Sequence, residues 1–103
     1  MAKFVFAYHG NGMPDTPEEG EKLMAAWGAW MGGMGEALVN GGAAVGLSKT
    51  VSQSGVVDNG GANPISGYSV VEAADIDAAI EMAKGCPILQ SGGSVEVAPE
   101  LEM

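Results

Sequence analysis

The sequence contains no arginine, and its only positively charged side chains belong to four lysines. Thirteen acidic residues bring the formal net charge to −9 at pH 7. Binding to nucleic acid depends on cationic side chains that neutralise phosphates, so we expect no nucleic-acid partner. Without arginine the chain also lacks the bidentate group that commonly holds carboxylates and phosphates. An anionic ligand would have to rely on lysine or on backbone amides.

Cysteine and histidine occur once each, as Cys86 and His9. A single cysteine cannot form an internal disulfide, which is typical of a reducing compartment, and we expect a cytoplasmic protein. One cysteine and one histidine cannot supply a conventional zinc ligand set, so no metal is expected, and no motif indicates a cofactor. Cys86 follows a predicted helix C-terminus, where the partial negative charge disfavours a thiolate. We therefore interpret it as a structural residue.

Long hydrophobic runs are also missing. No apolar stretch approaches the ~20 residues that a membrane-spanning helix needs, so no membrane association is expected. No basic segment followed by an apolar run opens the chain, so export is not predicted either. The hydrophobic fraction of 47% is nevertheless high enough for a packed core. A length of 103 residues suits a single domain that spans residues 1–103.

The segment after residue 15 predicts a long helix. Thr16 can cap it, Pro17 suits the first helical position, and Glu19 completes a capping box. Its end is predicted at about Asn40, before two consecutive glycines. Interior glycines each cost ~1 kcal/mol relative to alanine, so the helix depends on tertiary packing, and these glycines could allow another backbone to approach. One apolar stripe at helical spacing supplies the packing surface: Leu23, Trp27, Trp30, Met34 and Leu38.

A second helix and several strands complete the predicted elements. Asp75 is a suitable N-cap for this helix, and Lys84, near its end, complements the helix dipole. Apolar and β-branched residues, with clear alternation in the last segment, indicate strands elsewhere. Glycine and serine weaken the pattern in the middle of the chain. The strands are predicted at residues 3–9, 43–47, 51–57, 68–73 and 94–98.

The resulting order, β-α-β-β-α-β, predicts an α+β fold with an antiparallel ferredoxin-like sheet. Such a sheet carries its two helices on one face, and its other face must be solvated or covered. The strands at 3–9 and 68–73 are apolar at both alternating positions, so the face without helices needs a cover. A second copy of the chain would supply it, and we predict a homodimer.

Two stretches in the C-terminal part of the chain form a recognisable pattern: GYSVVEAADIDAAIEMAKGCPIL, residues 67–89, and GGSVEVAP, residues 92–99. This pattern resembles the YCII-related family. Family members share a Gly-Tyr strand, an acidic residue that opens a short helix, a Cys-Pro pair after that helix, and a Val-Glu-Val strand. The resemblance implies a dimeric α+β barrel, in agreement with the predicted homodimer.

The same resemblance implies less about chemistry. A His–Asp pair is the proposed active site in some members, but no motif in this sequence places His9 or Asp15 on that pair. One branch of the family carries an Asp-Gly-Pro-Phe motif before the Gly-Tyr strand. This chain has DNGGANP at residues 58–64 instead, so the motif is absent.

The residues themselves point to His9 as the first candidate for catalysis. It ends the predicted first strand, and its unperturbed pKa of about 6.5 suits acid–base work near neutrality when a carboxylate orients the ring. Asp15 is the nearest such carboxylate in sequence, although it could equally stabilise the start of the helix. Tyr8, Trp27 and Tyr68 are predicted to shape the adjoining pocket and to contact a ligand.

Three functions remain open on this basis. The first is binding of a small organic molecule in a cleft beside the sheet, with His9 and Asp15 as its acid–base pair in an enzymatic form. The alternative is a non-catalytic dimeric binding or interaction module. Oxygen chemistry without a cofactor is a third candidate, by fold analogy with other dimeric α+β barrels. A cavity with convergent polar groups would favour an enzyme, whereas an interior filled by methionine and valine would favour the module.

Overall fold

A computed structural model of the chain describes residues 2–10, 16–58 and 64–101. Two short 3₁₀ helices, Gly35–Ala37 and Pro87–Ser91, accompany the main elements of these ranges. In chain order the main elements are β1 (Ala2–His9), α1 (Pro17–Met34), β2 (Leu38–Ala44), β3 (Lys49–Ser52), β4 (Gly55–Asp58), β5 (Ile65–Ala73), α2 (Ile76–Ala83) and β6 (Ser94–Pro99).

Four of the strands form one antiparallel sheet in the order β2-β5-β1-β6. Together with α1 and α2 they follow the β-α-β-β-α-β order, and the sheet has the strand arrangement of a ferredoxin-like fold. The predicted α+β class is therefore confirmed. The strands β3 and β4 form a separate two-stranded hairpin between β2 and β5.

The core lies on one face of this sheet. Phe4, Phe6 and Tyr8 of β1 are buried on that face, whereas the alternate residues of the strand are only half-buried. The ring of Trp30 in α1 stacks on Phe6 with centroids 6.2 Å apart. Buried Ala79 and Ala83 of α2 pack into the same core. Both helices thus cover the face that carries the aromatic residues, as the alternation along β1 requires.

The helix starts follow the sequence signals closely. The Thr16 hydroxyl oxygen accepts a hydrogen bond from the Glu19 backbone N–H at 3.2 Å. The Asp75 carboxylate accepts one from the Ala78 backbone N–H at 2.8 Å. Both predicted N-caps are confirmed, because each satisfies a backbone donor that the first helical turn leaves without an intrahelical acceptor.

The predicted end of the first helix at Asn40 is wrong. The helix ends at Met34, and Gly35 follows with a φ of +55°, in the left-handed region that glycine adopts readily. Leu38 already belongs to β2, where it pairs with Val71 of β5. Its apolar side chain fits the helical stripe and the core side of a strand equally well, so periodicity could not separate the two.

The strand predicted at residues 51–57 is also corrected. A turn at Gln53 and Ser54 divides this segment into β3 and β4. Gly55 follows the turn with a φ of +132°, which explains why glycine stands there. An exposed ion pair of 3.5 Å between Lys49 and Asp58 joins the open end of the hairpin. No helix among the described residues is both long and apolar enough to cross a membrane.

Candidate functional site

A cavity of about 780 Å³ lies between α1, the chain segment that follows β2, and the adjoining ends of β1 and β5. The three residues predicted to contact a ligand, Tyr8, Trp27 and Tyr68, all line it. They come from three different elements, so only the tertiary structure brings them together. The remaining lining residues are mostly apolar or small: Gly10, Leu23, Met24, Met31, Gly41–Ser48, Pro64–Gly67, Ile88 and Ser91.

Tyr8 begins a buried chain of two hydrogen bonds that passes through the Ser69 hydroxyl. Its position in β1 turns it toward the helices, and its phenol donates a hydrogen bond of 2.8 Å to the Ser69 hydroxyl. Ser69, fully buried in β5, donates in turn to the Gly41 carbonyl oxygen at 2.9 Å. Burial raises the pKa of Tyr8 to about 12 despite the opposing hydrogen bond with Ser69. The phenol therefore stays protonated at neutral pH and acts as a hydrogen-bonding group rather than as a base.

Ser69 was not among the predicted site residues. A signal for it exists in the strand alternation, because Ser69 shares its side of β5 with Gly67 and Val71, both buried. A serine in a core-facing position requires a hydrogen-bond partner. Tyr8 and Gly41 supply these partners from strands on either side, which no short stretch of the sequence could reveal.

The two tryptophans of α1 have different roles. Trp27 lines the cavity and packs edge-to-face on Tyr8, with ring centroids 4.9 Å apart. Trp30 lies one turn further along and donates its indole N–H to the Met82 carbonyl oxygen at 2.9 Å, which ties α1 to α2. Trp30 is thus a structural residue, whereas Trp27 is placed to contact a molecule in the cavity.

One wall of the cavity depends on a glycine in β2. Gly42 has a φ of +69°, and a Cβ atom there would overlap the Tyr68 carbonyl oxygen. The Asn40 side-chain oxygen accepts a hydrogen bond from the Gly42 backbone N–H at 2.8 Å, and the pairing of β2 with β5 shifts register here. The two glycines that predicted a helix end, Gly41 and Gly42, therefore form an irregularity in the edge strand β2. This irregularity directs the chain segment after β2 along the cavity.

His9 lies beside the cavity but not in its lining. It shares the side of β1 with Val5 and Ala7, opposite to Tyr8, and is half-buried. Its Nδ1 atom is 3.2 Å from the Pro64 carbonyl oxygen. Its chain neighbour Gly10 and its partner Pro64 both line the cavity. Asp15 lies outside the described residues, so the His9–Asp15 pair stays a prediction.

Cys86 is buried in the core, with 2% of its surface exposed. Burial raises the pKa of its thiol to about 11, although a hydrogen bond from the Ile88 backbone opposes the shift. The thiol is therefore neutral and shielded, as expected for a structural residue rather than for a nucleophile. Lys49, the cation in the middle of the chain, pairs with Asp58 at the end of the hairpin.

Fold and site together define the class: an α+β protein of ferredoxin-like strand order with a largely apolar cavity at one end of its sheet. The sequence profile of the YCII-related domain matches residues 4–102, and the chain belongs to that family. The resemblance seen in the C-terminal part is thereby confirmed and extended to the N-terminal strand and helix. No curated protein matches the chain significantly.

Proposed function

We propose that this YCII-related protein binds a small organic molecule in the cavity between α1 and the ends of β1 and β5. The cavity itself carries the proposal. Its volume of about 780 Å³ lies within the range of roughly 300–1,000 Å³ that is typical of small-molecule pockets. Apolar and aromatic side chains line most of it, and a few hydroxyl groups are the polar contribution, which is the usual composition of such sites.

The enzymatic form of this proposal assigns acid–base chemistry to His9, with Asp15 as the group that orients the ring. An acid–base step near neutrality needs a group that changes its protonation there. Tyr8 and Cys86 do not qualify, because burial raises their pKa to about 12 and about 11. The contact of His9 with Pro64 places the imidazole against a residue of the cavity wall and supports histidine as the candidate.

The alternative function, a dimeric interaction module, has support of its own. The sheet face without helices carries Val5, Ala7 and Val70, all half-buried in the single chain. Val51 and Val56 of the hairpin are 76% and 62% exposed. Apolar surface of this extent is typical of an interface, and a second copy packed on the open sheet face would cover part of it. A homodimer can also bind a ligand, so dimerisation does not distinguish the two functions. Binding of a ligand in the cavity does.

The test is a ligand-observed NMR screen of a fragment library that contains neutral, anionic and cationic members. We expect fragments that bind the wild-type protein and lose binding in Ala44→Phe, which fills the cavity from its wall. The control is Ala29→Phe, an equal change at an exposed position of α1 outside the lining. Absence of any binder, or equal binding to both variants, would leave the interaction module as the better function.

A further inference from the structure

The described residues of the cavity lining carry no formal charge. None of the described lining residues is an aspartate, glutamate, lysine or histidine. Its polar side chains are hydroxyls, and two of these are already engaged within the protein. Tyr8 donates to Ser69, and Ser66 donates to the Tyr8 carbonyl oxygen at 3.0 Å. The described lining residues can therefore accept or donate individual hydrogen bonds, but they offer no counter-ion.

An anionic ligand would be disfavoured twice in this cavity. Its charge would lose hydration without a cationic partner, because the described lining residues include none and the chain has no arginine. Lys49, next to the lining residue Ser48, pairs with Asp58 instead. The net charge of −9 adds a repulsive field at low ionic strength.

A cationic ligand would gain from that field only outside the cavity. Inside, no carboxylate of the described lining can replace the water lost by an ammonium group. Cation–π attraction to the aromatic residues of the lining would offset only part of this loss, and salt screens the long-range attraction of the net charge. Binding of an anionic or a cationic ligand is thus less favourable than binding of a neutral ligand of the same shape.

The mouth of the cavity adds a separate observation. Two large apolar side chains of the lining, Leu47 and Met24, are 92% and 77% exposed. Leu47 follows β2 and Met24 belongs to α1, so they flank the opening from different elements. Exposed apolar groups beside a cavity gain free energy when an apolar molecule removes them from water. Methionine is also flexible enough to adapt to irregular ligand shapes.

We infer that the cavity selects neutral, ring-bearing organic molecules and discriminates against their carboxylate and ammonium analogues. The inference rests on the proposed small-molecule function and specifies its ligand class. Aromatic ligands suit the lining because three aromatic residues, Tyr8, Trp27 and Tyr68, contribute to it. A single hydroxyl or carbonyl group on the ring can bond to one of the lining hydroxyls.

The experiment compares three ligands of one shape: 2-naphthalenemethanol, 2-naphthoate and 2-naphthylmethylammonium. Isothermal titration calorimetry near neutral pH, at low and at moderate salt, gives the three dissociation constants. We expect the alcohol to bind tighter than either ion by a factor on the order of ten or more, because only the ions lose hydration without compensation. Moderate salt should narrow the gap for the carboxylate by screening the net negative charge.

A variant that introduces a positive charge tests the location of the ligand. Leu47→Lys places a cation at the mouth and should strengthen naphthoate binding relative to the alcohol. The matched control, Leu101→Lys, makes the same change at a position that is 73% exposed and outside the lining. Both sites lie on the surface, so both variants should fold.

Each outcome has a defined meaning. Equal or tighter binding of either ion to the wild-type protein would overturn the inference, as would an equal response of both lysine variants. The proposed function would survive equal or tighter binding of an ion, because the fragment screen with Ala44→Phe tests occupancy of the cavity separately. Binding of none of the three, in a protein for which the fragment screen also finds no cavity binder, would remove both the function and the inference.

Discussion

At the scale of single residues, the hydroxyl chain from Tyr8 through Ser69 to Gly41 is the feature most open to measurement. Ser69 both accepts and donates within it, so removing this side chain affects two partners. We expect Ser69→Ala to lower the free energy of unfolding by about 1–3 kcal/mol, because the buried Tyr8 hydroxyl loses its acceptor. Tyr8→Phe should cost only about 0.5–1.5 kcal/mol, since Ser69 keeps its bond to Gly41.

Urea unfolding of the two single variants and of the double variant checks this order. The double variant should lose less stability than the sum of the single ones, because the first change already breaks the shared hydrogen bond. A Ser69→Ala protein as stable as the wild type would contradict the assignment of this serine as the link in the chain.

Burial of Cys86 and Tyr8 predicts a sensitivity to alkaline pH. Folding raises the pKa of Cys86 from 9.0 to about 11 and that of Tyr8 from 10.0 to about 12. The folded state favours the protonated forms, so their contribution is complete below about pH 9 and is lost as the pH rises toward 12. We expect the free energy of unfolding to fall across that window.

Guanidinium unfolding at a series of pH values measures this decline. The variant Cys86→Ala should show a shallower fall at the lower end of the window, because the thiol no longer contributes, while the Tyr8 part remains. Equal slopes for both proteins would show that the Cys86 thiol ionises as easily in the folded as in the unfolded chain.

His9 gives a third prediction at this scale. The Pro64 carbonyl oxygen can only accept a hydrogen bond, so the His9 Nδ1 atom at 3.2 Å should carry a proton. Long-range ¹H–¹⁵N spectra of the single histidine report the protonation of each ring nitrogen directly. A deprotonated Nδ1 would contradict this contact.

The same spectra test the predicted acid–base pair. If Asp15 orients the ring, Asp15→Asn should shift the Nε2 resonance, whereas Asp77→Asn, at an exposed position of α2, should not. Unchanged spectra for Asp15→Asn would remove the pair from the enzymatic proposal.

At the scale of elements, the glycines of α1 and β2 should respond oppositely to alanine. A Cβ atom at Gly28 or Gly32 meets nothing within 4 Å, so alanine there adds helix propensity without a steric cost. Each substitution should stabilise the protein by about 0.4–1 kcal/mol. At Gly42 the positive φ and the Tyr68 carbonyl oxygen both oppose a side chain, so Gly42→Ala should be destabilising.

Thermal unfolding of the three single variants measures these effects. Destabilisation by Gly28→Ala or Gly32→Ala would show that another surface packs closely on α1 in solution. That result would revive the expectation that these glycines admit a neighbouring backbone.

At the scale of the whole molecule, the open sheet face predicts self-association. Val70 lies near the centre of that face, half-buried between its neighbours in β1 and β2. We expect the wild-type protein to sediment as a dimer and Val70→Lys to sediment as a monomer, because a lysine there would place a charge in an apolar interface. Glu18→Lys, at an exposed position of α1, is the control and should stay dimeric. A wild-type monomer would contradict the dimeric α+β barrel.

The sequence alone determined the features that depend on local rules. Strand alternation placed Tyr8 and His9 on opposite faces, and the capping residues Thr16 and Asp75 located both helix starts. The α+β class and the family followed from the order of elements and from the C-terminal motifs. These features need only neighbouring residues, so their physical causes are present in the chain itself.

Only the tertiary structure decided where α1 ends, how residues 51–57 divide, and what forms the site. Leu38 suits a helix and a strand equally, and its pairing with Val71 selected the strand. Tyr8, Trp27 and Tyr68 were predicted one by one, but their convergence on one cavity depends on contacts between three distant elements. Ser69 gained its role from partners on two other strands. Long-range packing of this kind is a property of the assembled sheet, and local sequence patterns do not encode it separately.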